Sequence, residues 1–200
     1  QGILATANGL RIGAGVRLET LRRDAVVRGH APLLATACDS LAALSVRHLA
    51  TLGGNVGWRW GDTLPALLVL DARVEQGDGA LLPLQDWLAL PQATLLVALH
   101  VPAATDAANA APGWFEKVGL RAAFSPTRLA LALHGPRVAA SAAGWPARRL
   151  QHVEAVLAAD GRPTRGALAE ACGRDIDIDD PAIARLAAHL LHGRLAVAST

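Results

Sequence analysis

Apolar positions in the first half of the chain alternate between helical spacing and short strand-like runs. Helical spacing over 33–41, after Pro32, and a compact apolar segment over 66–70, after Pro65, predict two helices. A third, shorter helix is predicted over 18–23. Apolar runs bounded by glycine and other turn residues predict strands at 10–14, 72–75, 81–84 and 95–101. This pattern indicates an antiparallel sheet that is joined by turns and accompanied by helices.

The second half of the chain follows a segment of small residues. Residues 103–113 carry no periodic large apolar position, which predicts a linker. Beyond it we predict strands at 114–119, 129–134 and 138–142, and helices over 146–158, about 166–172 and from Pro181 onward. We therefore expect an α+β protein in two lobes, 1–107 and 108–200, the second with a three-stranded sheet.

Composition narrows the classes of function. Of 200 residues, 52% are hydrophobic and 18% are charged, so the chain can bury a core, and no transmembrane helix is expected. The formal net charge is +2 and the arginines are scattered, so nucleic-acid binding is not expected. Cys38 and Cys172 match no metal or redox spacing and no export signal opens the chain, which favours a cytoplasmic location. Among the 19 basic residues, Lys117 is the only lysine.

No metal site is predicted from the sequence. His189 and His192 lie three residues apart in a predicted helix, but no third ligand accompanies them. Asp180 directly precedes Pro181 and is better explained as a helix cap than as part of a calcium loop.

Residues 51–61 contain four glycines in eleven positions, which predicts a loop. Consecutive glycines followed by Asn55 leave backbone N–H groups uncovered, an arrangement that suits phosphate or another anion. Tight turns use the same residues, so a purely structural role is the alternative. Asp62 or Thr63 is expected to cap the helix that follows.

The wider segment around these glycines resembles a known family. Residues 47–55, Arg-His-Leu-Ala-Thr-Leu-Gly-Gly-Asn, and residues 62–68, Asp-Thr-Leu-Pro-Ala-Leu-Leu, resemble the FAD-binding subunit of the molybdenum hydroxylases, which include xanthine and carbon monoxide dehydrogenases. Segments 10–18, 95–102 and 114–124 resemble further parts of that subunit in the same order. The resemblance therefore covers nearly the whole chain.

The resemblance implies a set of FAD-binding residues, no catalytic residue for the organic substrate and no metal ligand. Asp62 would bind a hydroxyl-bearing part of FAD, because a carboxylate accepts hydrogen bonds from hydroxyl groups. Lys117 would contact the flavin, where its ammonium stabilises negative charge on the reduced ring. The other implied contacts are a dinucleotide-binding loop and two side chains against the flavin or adenine, namely Thr51, Leu52, Gly53, Gly54 and Asn55 in the loop, with Leu41 and Leu96.

The resemblance also implies the fold of each lobe. Residues 1–107 would be the second subdomain of a PCMH-type FAD-binding domain, with a mainly antiparallel sheet and helices, and 108–200 a carbon monoxide dehydrogenase flavoprotein-type C-terminal domain. The family's first FAD subdomain, which carries a pyrophosphate-binding loop, would precede Gln1. It would belong to the same polypeptide or to another chain, or this copy no longer binds FAD.

The implied function is electron transfer by an oxidoreductase. The chain would be the FAD subunit of a heterotrimer, beside a large molybdopterin subunit and a small subunit with 2Fe-2S clusters. Electrons would pass from those clusters through FAD to NAD or another acceptor. The alternative is a flavin-free structural or assembly subunit that retains the fold with a degenerate FAD site.

Overall fold

Two antiparallel sheets with helices packed around them form the described structure. The computed structural model describes residues 2–91, 94–103, 113–120 and 127–197. The expected α+β class with antiparallel sheets is confirmed. Within the described ranges, no helix combines the length and the apolar character that crossing a membrane requires.

The first sheet has five strands, which in chain order are β1 (Ile3–Thr6), β2 (Gly9–Gly13), β3 (Arg73–Gln76), β4 (Leu81–Pro83) and β5 (Leu96–Pro102). Their spatial order is β1-β2-β5-β3-β4, with every neighbouring pair antiparallel. Leu10 and Ile12 on β2 are buried, whereas Arg11 between them is only partly so, because successive side chains point to opposite faces. On β5, Leu99 lies opposite Ile12 on one side and Val74 on the other. The buried side chains of these strands form one side of the first hydrophobic core.

Helices of six to eight residues accompany this sheet: α1 (Leu18–Arg23), α2 (Ala25–His30), α3 (Pro32–Asp39), α4 (Leu44–Leu49), α5 (Leu52–Gly57), α6 (Leu64–Val69) and α7 (Leu84–Ala89). Pro32 and Pro65 lie in the first turns of α3 and α6, where a missing N–H costs no intrahelical bond. All six residues of α6 are buried. Such complete burial requires packing partners on every side of the helix.

The second lobe is an antiparallel meander followed by three helices: β6 (Trp114–Gly119), β7 (Thr127–His134), β8 (Arg137–Ala142), β9 (Trp145–Arg149), α8 (Gln151–Ala159), α9 (Arg165–Asp175) and α10 (Pro181–Val197). Leu129 and Leu131 of β7 join the core beneath these three helices, whereas Ala130 and Ala132 face the core of the first lobe. The small alanine side chains allow α6 to pack against this sheet. The two lobes therefore share a packed interface.

Two predicted segments differ from the structure. The predicted helix over 146–158 begins only at Gln151, because Trp145 and Ala147 alternate inward along a further strand, β9. The second sheet therefore has four strands in the described residues, and the predicted three-stranded sheet is wrong. The predicted loop over 51–61 contains helix α5. Most of the predicted linker, and the boundary between residues 107 and 108, lie outside the described residues.

Candidate cofactor site

Helix α5 is held closely against the turn that follows β2. The Gly53 N–H donates to the Ala14 carbonyl oxygen at 2.8 Å. Thr51 caps the helix, since its Oγ1 accepts from the Gly54 N–H at 3.1 Å. A Cβ on Gly53 would lie only 2.7 Å from the Ala14 Cβ. Glycine at position 53 therefore permits the close approach of the helix to the turn.

The other N–H groups of the glycine segment also have acceptors within the protein. Leu52 donates to the Val16 carbonyl at 2.8 Å, and Asn55 donates to the Thr51 carbonyl at 3.0 Å. The expected phosphate cradle of uncovered N–H groups at 52–55 therefore does not form. Close packing, the structural alternative, accounts for Gly53.

The Asn55 side chain caps helix α6. Its Oδ1 accepts from the Thr63 N–H at 3.1 Å and from the Thr63 Oγ1 at 2.6 Å. A Cβ on Gly61 would lie 2.1 Å from the Asn55 carbonyl oxygen, so the chain before α6 is pressed against α5. Of the two predicted caps, Thr63 is the N-cap residue of α6, but its side chain makes no capping bond within the helix and instead donates to Asn55.

Helix α5 also forms one wall of an open cavity of about 390 Å³. The lining is neutral and consists of Ala14, Gly15, Thr51, Gly53, Gly54, Gly57, Trp87, Thr94, Leu95 and Leu96. Four residues implied by the resemblance thus meet at one cavity: Thr51, Gly53, Gly54 and Leu96. Glycine, aliphatic and aromatic groups with a few hydroxyls suit a flat, largely apolar ring better than a doubly charged pyrophosphate. The residues present fit a ring-bearing part of FAD.

Two implied contact residues lie in the core instead. Leu52 is fully buried and Leu41 is 5% exposed, and neither lines the cavity. In this structure both side chains pack in the first hydrophobic core. A direct contact between either leucine and a flavin or adenine stays a prediction.

The two implied charged residues form an ion pair with each other. The Lys117 Nζ donates to the Asp62 Oδ2 at 2.7 Å, with side-chain exposures of 15% and 12%. This pair joins the segment before α6 to strand β6 of the second lobe. Neither residue lines the cavity at α5. Their positions relative to a bound cofactor therefore remain predictions from the resemblance.

A buried carboxylate that the sequence interpretation missed, Glu19, connects α1 to Arg47 of α4, the helix before α5. Glu19 accepts hydrogen bonds from Arg22, Arg47 and Arg23, which hold its pKa well below the usual range. The Arg47 guanidinium also donates to the carbonyl oxygens of Leu41 and Ala42, at 2.6 and 2.7 Å. The spacing of Glu19, Arg22 and Arg23 on one helix was the available signal. Arg47, inside the segment that carries the resemblance, thus has a structural role.

The two cysteine thiols are buried and remain protonated at neutral pH. Cys38 and Cys172 are free and buried, and burial raises the pKa of each thiol to about 12. In the part of the chain that the structure describes, no group of three or more histidine, cysteine or acidic side chains is placed to hold a metal ion.

Comparisons with known proteins found a family and solved structures that are similar to this chain. Residues 1–104 match the family described as FAD binding domain in molybdopterin dehydrogenase. The xanthine dehydrogenase FAD-binding subunit of Escherichia coli O157:H7 is 35% identical over 74 residues, which are 36% of this chain and only 25% of that protein. Carbon monoxide dehydrogenase from Hydrogenophaga pseudoflava has a TM-score of 0.75 at 21% identity, over 98% of this chain and 75% of its own. Quinoline 2-oxidoreductase from Pseudomonas putida 86 has a TM-score of 0.71 at 18% identity, and the match covers 98% of this chain and 78% of that one. These two structures show the fold.

Proposed function

Because the chain belongs to the family of FAD binding domains in molybdopterin dehydrogenases, we propose that it is the FAD-binding subunit, or a part of it, in a molybdenum hydroxylase complex. The observation that supports this most is the neutral cavity at α5. It brings together four of the residues that the resemblance assigns to FAD, Thr51, Gly53, Gly54 and Leu96.

The proposed work of this chain is to bind and shield a cofactor. Thr51 and the glycines of α5 form one wall for a ring of FAD, and Leu96 covers the ring from strand β5. Asp62 accepts from a hydroxyl of the cofactor, and Lys117 holds positive charge near the flavin. FAD, when bound, accepts electrons in pairs and releases them to a second acceptor. No residue of this chain acts on the organic substrate.

The proposed partners follow from the same family. A large subunit with molybdopterin oxidises the substrate, and a small subunit with 2Fe-2S clusters passes the electrons on. NAD or another acceptor then receives them, in a heterotrimer located in the cytoplasm. Two free, buried cysteines are consistent with a reducing compartment.

The absorption spectrum of the intact, purified complex tests this proposal. We expect flavin bands that correspond to one FAD per copy of this subunit. A fully assembled complex without flavin bands would instead support the alternative, a structural subunit with a degenerate site. The N–H groups of residues 52–55 already donate to acceptors within the protein, and this observation favours the alternative.

A further inference from the structure

The Asp62–Lys117 ion pair is fixed at both ends by the fold. Asp62 lies between Gly61, which is pressed against the Asn55 carbonyl, and Thr63, which donates twice to the Asn55 Oδ1. The carboxylate position therefore follows helix α5. Since α5 forms a wall of the cavity, the Asn55 side chain connects the segment around Asp62 to that wall.

Lys117 is fixed from the second lobe. It lies on β6 directly opposite Ala130 of β7, and Phe115, two residues earlier in the same strand, packs into the first core. Its ammonium reaches Asp62 at 2.7 Å, and both side chains are less than one-fifth exposed. The ammonium position is thus set by the sheet of one lobe and by the carboxylate of the other.

We propose that Asp62, in addition to its proposed contact with a cofactor hydroxyl, is the counter-ion of Lys117 and limits how far the lysine raises the reduction potential of the bound flavin. This inference rests on the proposed function. A carboxylate at 2.7 Å cancels much of the field of the ammonium, so the intact pair presents a small net charge to its surroundings. Removing either member leaves an unpaired charge in a poorly solvated place.

The two single variants should shift the potential in opposite directions. Reduction adds negative charge to a flavin, so an unpaired ammonium favours the reduced form and an unpaired carboxylate opposes it. Asp62→Asn should therefore raise the potential and Lys117→Met should lower it. We expect each to change the ratio of oxidised to reduced flavin at least tenfold at a fixed potential, about 30 mV for a two-electron couple. The double variant, with neither charge, should return close to the wild-type value.

The experiment is a reductive titration of the intact complex, in which a reduced dye of known potential transfers two electrons to each flavin. Glu170→Gln is the matched control, since it removes a carboxylate from the exposed Arg174–Glu170 pair on α9. It should leave the potential unchanged. Opposite shifts with recovery in the double variant support the inference. Shifts in the same direction, or unchanged potentials with FAD bound, overturn it.

A second measurement covers variants that lose the cofactor. Unfolding of the FAD-depleted protein, for wild type, both single variants and the double variant, gives the coupling between the two side chains independently of flavin. If the free energies of unfolding lost in the two single variants do not add up to the loss in the double variant, the pairing is supported. If they do add up, the pairing is overturned. A wild-type complex that contains no flavin would contradict the proposed function, whereas missing coupling would contradict only the role given to Asp62.

Discussion

Replacing Gly57 by leucine should weaken FAD binding without destabilising the fold. Gly57 ends helix α5 and lines the cavity. An added Cβ at this position has no heavy atom within 4 Å outside the neighbouring backbone of the helix, so the substitution begins in open space. In a helix, leucine is favoured over glycine by up to about 1 kcal/mol. The free energy of unfolding of the FAD-depleted protein should therefore stay constant or rise by up to about 1 kcal/mol.

The same side chain occupies volume that the cofactor needs. The cavity measures about 390 Å³, and α5 forms one of its walls. Crowding a packed site with extra methylene groups costs about 1–3 kcal/mol. That range corresponds to binding weakened by roughly 5- to 150-fold. Calorimetric titration of FAD into the depleted protein measures the affinity, and urea unfolding of the same sample measures the stability.

Gly173→Leu is the matched control. Gly173 lies within helix α9, also has open space around a Cβ, and does not line the cavity. This variant should bind FAD as wild type does. If Gly57→Leu binds FAD as tightly as Gly173→Leu, the cavity does not hold the cofactor. Weakened binding that is accompanied by an equal loss of stability would also refute the reasoning, because the substitution would then have damaged the fold.

Three further predictions test the packing and the electrostatics. Gly53→Ala places a Cβ 2.7 Å from that of Ala14, so urea unfolding should show a stability loss of about 1–3 kcal/mol; an unchanged midpoint would contradict this contact. Hydrogen bonds from Arg11 lower the pKa of Glu75 to about 2, so stability present above pH 4.5 should be lost as the pH falls towards 2; Glu75→Gln should flatten this part of a Tm-against-pH curve. The Cys38 thiol, with a pKa of about 12, should react with a maleimide at pH 8 no faster than the protein unfolds.

Segments whose own pattern decides their structure were predictable from the sequence. Strand β6 has the predicted bounds 114–119, and α1 coincides with the predicted helix over 18–23. Helix α10 begins at Pro181, and the Asp180 carboxylate accepts from the Ala182 N–H as a cap at 3.0 Å. In each case periodicity or a capping residue lies within a few positions of the element that it determines.

Contacts between distant segments determined the rest. The glycine-rich stretch after Thr51 becomes helical because it docks on the turn at Ala14, a partner that no local pattern indicates. Strand β9 forms because β8 offers it an open edge, although Pro146 favours the start of a helix. The Asp62–Lys117 pair joins residues 55 positions apart. Periodicity along the chain contains no information on such pairings.

An experimental structure of the FAD-loaded complex tests the central claim most directly. The flavin or adenine ring should lie in the cavity at α5, in contact with Thr51, Gly53, Gly54 and Leu96. A structure in which FAD is bound and this cavity contains no part of it would contradict the account.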